Sequence, residues 1–484
     1  LELSNAKAQT VWSIFSHLCR IPRPSRQEEQ VCQWLGRFAR DNKLDYREDA
    51  AGNVVMELPA TEGYEDSPCV IIQNHTDMVC EKTPESDHDF SKDAITMVEK
   101  DGWVYADNTT LGADNGLGIS MAMALVLEKG LAHPRLELLF TVDEETGLNG
   151  VNSLERDFIT GRRLINLDTE HDVFIVGCAG GEQTDIEMEL EWQRAPASFG
   201  CYVLKVSGLA GGHSGISIHE QRANAIALLT RAVCALKDRF ELGIVRIQGG
   251  TAHNAIPRDG QATICFDPSD LDQARQTLDK LVVLLSREFS ATDLDIKIEL
   301  DVADGCQCEQ MWLKTVSERV VNLLTAVPHG VYRNSLEFDS MVETSNNLAV
   351  VETLSDQNTL RITTSQRSSL ESSLQSLTGK INALARLAGA RVQNSGKYPA
   401  WEPRMDSPLL GHCRNIYAQL YGEEPRVENI HAGLECSIIG SMFEDMDMVS
   451  FGPTIDNAHS PRERVNIQSV DKVWGFLLEL LPTL

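Results

Sequence analysis

The sequence predicts an α/β protein: a mixed, mostly parallel sheet sandwiched by helices, with an inserted α+β domain made of two ferredoxin-like lobes. Three observations carry this. Apolar, β-branched runs alternate with helical stretches early in the chain and return at its end, as strands covered on both faces do. The region between switches to a β-α-β-β-α-β order. Short groups of histidine and carboxylate residues stand just past the apolar runs, at the sheet edge where α/β proteins place ligands.

Taken in order, a helix is expected over about residues 6–19. Ser25-Arg26-Gln27-Glu28 reads as a capping box for a second helix, with Val31, Trp34, Leu35 and Phe38 as its apolar stripe. Residues 69–72 are an apolar strand ending at Gln73-Asn74-His75. Residues 136–142 form another, followed by Asp143-Glu144-Glu145, and residues 164–167 precede Asp168. Ala179-Gly180-Gly181 reads as a hinge-like break, with a second near Gly396.

Between the breaks, strands are expected at 202–206, 243–248, 262–266 and 294–301, with helices at 220–236 and 271–289. From about Met311 a helix, paired strands near Ala349 and Leu360, a helix over 370–387 and a strand over 390–393 look like a second, degenerate copy. The chain then finishes its first domain with a helix over 408–421, a strand within 445–451 and a helix over 468–481. The expected domains are 1–181 and 397–484 for catalysis, and 182–396 for a lid.

Composition narrows the function. A chain of 484 residues has ample core for more than one domain. Its 43 basic and 71 acidic residues give a formal net charge of −28, which disfavours nucleic acid and anionic membranes as partners. No run approaches the roughly 20 apolar residues that span a bilayer. Leu1-Glu2-Leu3-Ser4 opens no basic-then-apolar signal, so a cytoplasmic protein is expected. Many of the 12 cysteines, such as Cys32, Cys69, Cys234 and Cys265, sit in apolar segments as small hydrophobes. Cys306-Gln307-Cys308 lacks the second pair a zinc finger needs.

The chemistry lies in His75-Thr76-Asp77, Asp114-Asn115-Gly116, Glu144-Glu145, Asp168 and His459. Imidazoles mixed with carboxylates suit divalent first-row metals, zinc above all. A lone Glu-Glu pair is usually a solvated face, and a lone His-x-Asp is usually structural. The shared position after apolar runs is what makes the set specific. His17 and His412 lie in helix-like stretches, and His88, His133, His171, His253 and His329 have no partner pattern, so the ordinary reading holds for them.

These motifs, with Gly211-Gly212-His213-Ser214-Gly215, Asn254-Ala255-Ile256-Pro257-Arg258, His431-Ala432-Gly433-Leu434-Glu435-Cys436 and Gly452-Pro453-Thr454, resemble the co-catalytic di-zinc peptidases over nearly the whole chain. More narrowly, the chain resembles the bacterial aminoacyl-histidine, or cytosol nonspecific, dipeptidases. The resemblance implies that Asp114 bridges two zinc ions, for which manganese or cobalt could substitute. His75 and Asp168 complete one site, and Glu145 and His459 the other. It makes Glu144 the general base and has Asp77 orient His75. It also implies a cis Asp114–Asn115 peptide. With two dications, three carboxylates and a bridging hydroxide, such a cluster is neutral.

In the inserted domain, His213 is expected to stabilise an oxyanion, and Arg367 to hold a substrate carboxylate through its planar fork. Arg258 and Arg361 compete for the latter role. Asn254 and Glu435 are further candidates for substrate binding. The implied activity is hydrolysis of unblocked dipeptides, including Xaa-His dipeptides such as carnosine. The alternatives are an acylamino-acid deacylase, an aminopeptidase on longer peptides, or an inactive acidic binding protein. The doubled lid is expected to mimic a dimer inside one chain, so that a homodimer is not required to complete the active site.

Overall fold

The computed structural model describes residues 6–303, 308–339, 341–443 and 445–484. The chain forms two compact units. The first contains residues up to Cys178 together with Trp401–Asn429 and Leu434–Leu484. The second contains Ala179–Ala400 and the short return Ile430–Gly433.

The first unit is built on an eight-stranded sheet. Its order is Asp45–Glu48, Val54–Leu58, Leu136–Thr141, Val70–His75, Arg163–Asn166, Asp447–Ser450, Phe174–Cys178 and Val427–Ile430. The strands from Leu136–Thr141 to Asp447–Ser450 run parallel. Val70–His75 and Leu136–Thr141 are buried at every position, so apolar residues such as Val70, Ile71, Ile72, Leu138, Leu139 and Phe140 follow one another without alternation, and the polar Gln73 and Glu137 are hydrogen-bonded inside the fold. Three of the parallel strands end at or within three residues of His75, Glu144 and Asp168, and the fourth, Asp447–Ser450, leads into the loop that carries His459. The helix Ala113–Leu127 is buried along most of its length and packs against Val70–His75. Gly118 permits that approach, because a Cβ there would come 2.4 Å from the Asn74 side chain.

The expected capping box is not one. The helix runs Glu29–Asp41 with no side-chain cap. Ser25 Oγ instead donates to Asp77 Oδ2 at 2.7 Å, and Glu28 accepts from the Asp143 amide at 2.8 Å. Both side chains serve buried polar groups elsewhere in the fold.

The second unit is a nine-stranded sheet. Gly200–Ser207, Gly243–Gly249, Gly260–Phe266 and Lys297–Val302, with helices Ala225–Lys237 and Leu271–Glu288, form one ferredoxin-like lobe. Gly180–Glu189, Val342–Leu354, Thr359–Ser368 and Arg391–Tyr398, with helices Lys314–Ala326 and Glu371–Leu387, form the other. The first strand of the second lobe therefore precedes the whole first lobe in sequence. The lobes join into one sheet by the antiparallel pairs Gln248↔Glu352 and Gly249↔Val351. Apolar residues such as Leu204, Leu229, Ile264, Ile362 and Leu377 fill a single core. Cutting one such leucine to alanine would cost about 2–5 kcal/mol.

Three expectations are refined here. The break expected at Ala179-Gly180-Gly181 coincides with the boundary between the units after Cys178, though Gly180 and Gly181 themselves open a strand, and a Cβ on Gly181 would come 2.6 Å from the Tyr398 ring. Gly396 lies within Arg391–Tyr398, at a φ of 59° beside a register irregularity. The helix expected from residue 220 starts at Ala225, because Asn224 accepts from the Ile226 and Ala227 amides. Cys306 and Gln307 lie outside the described residues, and the described cysteines are unbridged. No described helix is long and apolar enough to cross a membrane.

Candidate metal centre and active site

The first unit brings together every residue of the expected metal set. His75 closes its strand with Nε2 3.0 Å from Asp114 Oδ1 and 3.2 Å from Asp168 Oδ1. His459 Nε2 lies 3.1 Å from both Asp114 Oδ2 and Glu145 Oε2. Asp114 thus offers one oxygen to each histidine. Two triads result, His75–Asp114–Asp168 and Asp114–Glu145–His459, each with its donor atoms within 4.8 Å of one another. Donors about 2.1 Å from a tetrahedral zinc stand roughly 3.4 Å apart, so these side chains need little adjustment to hold an ion. His75, Glu144 and Glu145 form an overlapping third group.

Local chain geometry sets these positions. Asp114 starts the helix Ala113–Leu127 with non-helical φ and ψ, and its peptide bond to Asn115 is cis. Asn115 Nδ2 donates to Asp168 Oδ1 at 2.5 Å and to the Leu167 carbonyl at 2.7 Å. Asp77 is fully buried. Its Oδ1 accepts from the Glu144 amide at 3.0 Å and its Oδ2 from the Glu145 amide at 3.1 Å. Its Oδ1 also lies 3.4 Å from His75 Nδ1. One carboxylate therefore faces His75 while pinning the turn that carries Glu144 and Glu145.

The electrostatics show a cluster that attracts positive charge. Burial opposes protonation of His459, yet Asp114 and Glu145 outweigh it and push the imidazole up to about 12. Burial also opposes a charged His75, but Asp168 and Asp114 raise it well above its usual value. Asp168 is pushed up to about 6 by burial, with Asp114 and Glu145 adding to the effect against His75. Burial likewise lifts Glu144, reinforced by Glu145, Asp168 and Glu435. Glu145 Oε1 is buried without a hydrogen-bond partner among the described residues. An acid-rich nitrogen and oxygen set with an unsatisfied oxygen fits divalent cations.

The second unit gathers the other candidates. His213 pairs with Ala255 in a short two-stranded ribbon, beside Asn254, whose carbonyl accepts from the Ser214 amide at 2.8 Å. The Gly215 and Ile216 amides donate to His213 Nδ1 at 3.2 and 3.1 Å. That places the ring proton on Nε2 and makes Nε2–H a donor. Arg367 is on a strand and buried, and its Nη1 donates to Tyr398 Oη at 2.6 Å. Its competitors are engaged: Arg361 pairs with Glu352 at 2.8 Å, and Arg258 Nε donates to the Leu209 carbonyl at 3.3 Å. Gly215 lies where His213, Arg367 and His431 meet, since a Cβ there would come 3.2 Å from His213 Cε1 and 3.3 Å from Arg367 Cδ. His431 donates or accepts at Ser345 Oγ over 2.7 Å. Burial, with Arg367 and His213, pushes His431 down to about 3.

Glu435 is placed differently from the expectation. It is fully buried, accepting from Gln73 Nε2 at 2.5 Å and Thr141 Oγ1 at 2.6 Å. It braces the strands that end at His75 and Thr141, while its other oxygen, Oε1, has no hydrogen-bond partner among the described residues. Sequence reasoning missed Glu170 and Glu463. Burial, together with Asp114 and Asp168, pushes Glu170 up to about 8. Its only signal was its place two residues beyond Asp168.

The comparisons agree with this geometry. Residues 71–482 match the model of peptidase family M20/M25/M40. The chain is 37% identical over 482 residues to the cytosol non-specific dipeptidase of Escherichia coli K12, spanning 99% of this chain and 98% of that one. It is similar to the crystal structure of an aminoacylhistidine dipeptidase from Vibrio alginolyticus, with a TM-score of 0.88 and 36% identity over 100% of this chain and 98% of that one. An aminopeptidase from Bacillus cereus shares the fold at a TM-score of 0.57 and 16% identity, over 99% of this chain and 98% of that one. The ordered triads, the parallel-strand edge that carries them and these matches lead to one conclusion: the chain is a peptide hydrolase and belongs to peptidase family M20/M25/M40.

Proposed function

We propose that this chain is a two-metal dipeptidase acting on unblocked dipeptides, Xaa-His dipeptides such as carnosine among them. The observation that carries the reading is Asp114, which presents one oxygen to each of two histidine–carboxylate pairs. The similarity to dipeptidases of Escherichia coli and Vibrio alginolyticus supports the substrate class.

Two zinc ions, replaceable by manganese or cobalt, would be held by His75, Asp114 and Asp168 and by Asp114, Glu145 and His459. When bound, such ions polarise a carbonyl and acidify water. Glu144 adjoins the ligand Glu145 and lies outside both triads built on Asp114. In this reading it takes a proton from the attacking water and returns it to the leaving amine. Asp77 keeps His75 and the Glu144 turn in register. His213 donates from Nε2–H to the developing oxyanion. Arg367, with Asn254, receives the terminal carboxylate, and acidic groups near Asp168 receive the free amine.

The test is a panel on zinc-reconstituted protein: a dipeptide, a tripeptide, an N-acetyl-dipeptide and a dipeptide amide. Only the free dipeptide should turn over well. Comparable rates on the N-acetyl substrate would make the chain a deacylase, and comparable rates on the tripeptide an aminopeptidase.

A further inference from the structure

Two buried charges lie outside every role assigned above. Arg23 is 3% exposed and Glu463 is 2% exposed. Arg23 Nη1 donates to the carbonyls of Thr76 at 3.0 Å and Asp77 at 2.8 Å, immediately after the ligand His75. Its Nη2 donates to the Gly112 carbonyl. Glu463 Oε2 accepts from the Leu111 amide at 2.7 Å and the Gly112 amide at 3.0 Å. Its Oε1 accepts from the Ala113 amide at 2.8 Å, with the Asp114 amide at 3.4 Å.

The backbone of Gly112 is thus gripped from both sides. Its N–H goes to the carboxylate and its C=O to the guanidinium. Gly112 is left-handed, with a φ of 68°, and a Cβ there would come 2.5 Å from Arg23 Nη2. Glycine is required at that point. Glu463 also stands four residues after His459 in the same loop. The two side chains therefore join the backbone of three segments that carry His75, Asp114 and His459. None of these bonds goes to a ligand side chain, so neither residue competes for a metal.

We propose that Arg23 and Glu463 are positioning residues that fix the Asp114 segment between the two triads and thereby set the affinity for both ions of the pair. The proposal rests on the two-metal reading. A neutral core would tolerate small shifts of residues 111–114, whereas a buried carboxylate with several amide donors does not, because each lost bond leaves a buried group unpaired. A shift at Asp114 would be felt at both ions together.

The experiment titrates metal-free protein with cobalt(II), following affinity and the visible absorption of the bound ion, on wild type, Glu463→Gln and Arg23→Lys. In Glu463→Gln the side chain keeps its shape but turns one oxygen into a donor that faces amide donors. Affinity for both ions should fall at least ~10-fold, as when a ligand's support is removed, with an altered cobalt spectrum and the folded circular dichroism retained. Arg23→Lys keeps the charge but cannot reach all three carbonyls, and should do the same. It decides the matter if Glu463→Gln does not fold. Wild-type affinity and spectrum in a folded variant, with or without a lower Tm, would overturn the proposal. Failure of wild type to take up two cobalt ions would instead overturn the two-metal reading itself.

Discussion

Replacing Asp77 with asparagine isolates what one buried carboxylate contributes. Both oxygens are committed, Oδ1 to the Glu144 amide and Oδ2 to the Glu145 amide and the Ser25 hydroxyl. Burial favours the neutral acid, yet His75, Ser25 and the Glu144 amide outweigh it and hold the group down at about 2. An asparagine amide has one oxygen. Whichever way it turns, its NH2 faces a backbone N–H, and one buried donor is left unpaired. That costs about 1–3 kcal/mol. If the cost falls on the metal-bound arrangement, affinity drops by roughly 5- to 150-fold. The same change weakens the orientation of His75, for which losses of about 10–100-fold in metal affinity are typical. Competition with a zinc-chelating dye measures the affinity, and Tm of the metal-free protein separates it from stability. Zinc affinity within about twofold of wild type and normal turnover would refute the reasoning.

Other expectations follow from the same geometry. Glu144→Gln should bind metal normally but lose at least ~10²-fold in kcat, and near-normal activity with full metal would remove it as the base. Co-refolding Glu144→Gln with His213→Ala chains should give inactive protein if each chain completes its own site, and recovery towards a quarter of wild-type activity would show the histidine crossing between chains. His329 offers a pH test away from the metals. Burial lowers it to about 4, and its Nδ1 accepts from Asn224 Nδ2 at 3.2 Å. The folded state then favours the neutral ring and the unfolded chain binds the extra proton. Stability from this group is complete above about pH 6.5 and lost as pH falls towards 4, by at most about 3 kcal/mol. The Tm of His329→Gln should fall less steeply over that window, and parallel curves would contradict the assignment.

The parallel strands were legible because burial on both faces leaves apolar residues in succession rather than in alternation, as at Val70–Ile72 and Leu138–Phe140. The candidate metal set was legible because His75, Glu144 and Asp168 stand at or just past such stretches. Gly180–Glu189 was not, because its charged alternation suits a half-exposed strand and its lobe mates lie beyond an intervening lobe. Ser25 and Glu28 carry the pattern of a helix cap, and nothing local shows that their partners are Asp77 and Asp143. Arg23 and Glu463 escaped for a related reason: they bind backbone atoms, which have no sequence signature. The bonds of Glu435 to Gln73 and Thr141 were not legible either, because residues more than 290 positions apart in sequence give no local signal.

The bridging role of Asp114 is tested most directly by metal stoichiometry. Wild type and Asp114→Ala, each dialysed against limiting free zinc and confirmed folded, would be measured by mass spectrometry of bound metal. Wild type should hold two zinc ions per chain and the variant neither, because His75 and His459 each lose the same shared partner. A folded variant that still holds one ion at wild-type affinity would show two independent sites, and one that holds both would contradict the bridge altogether.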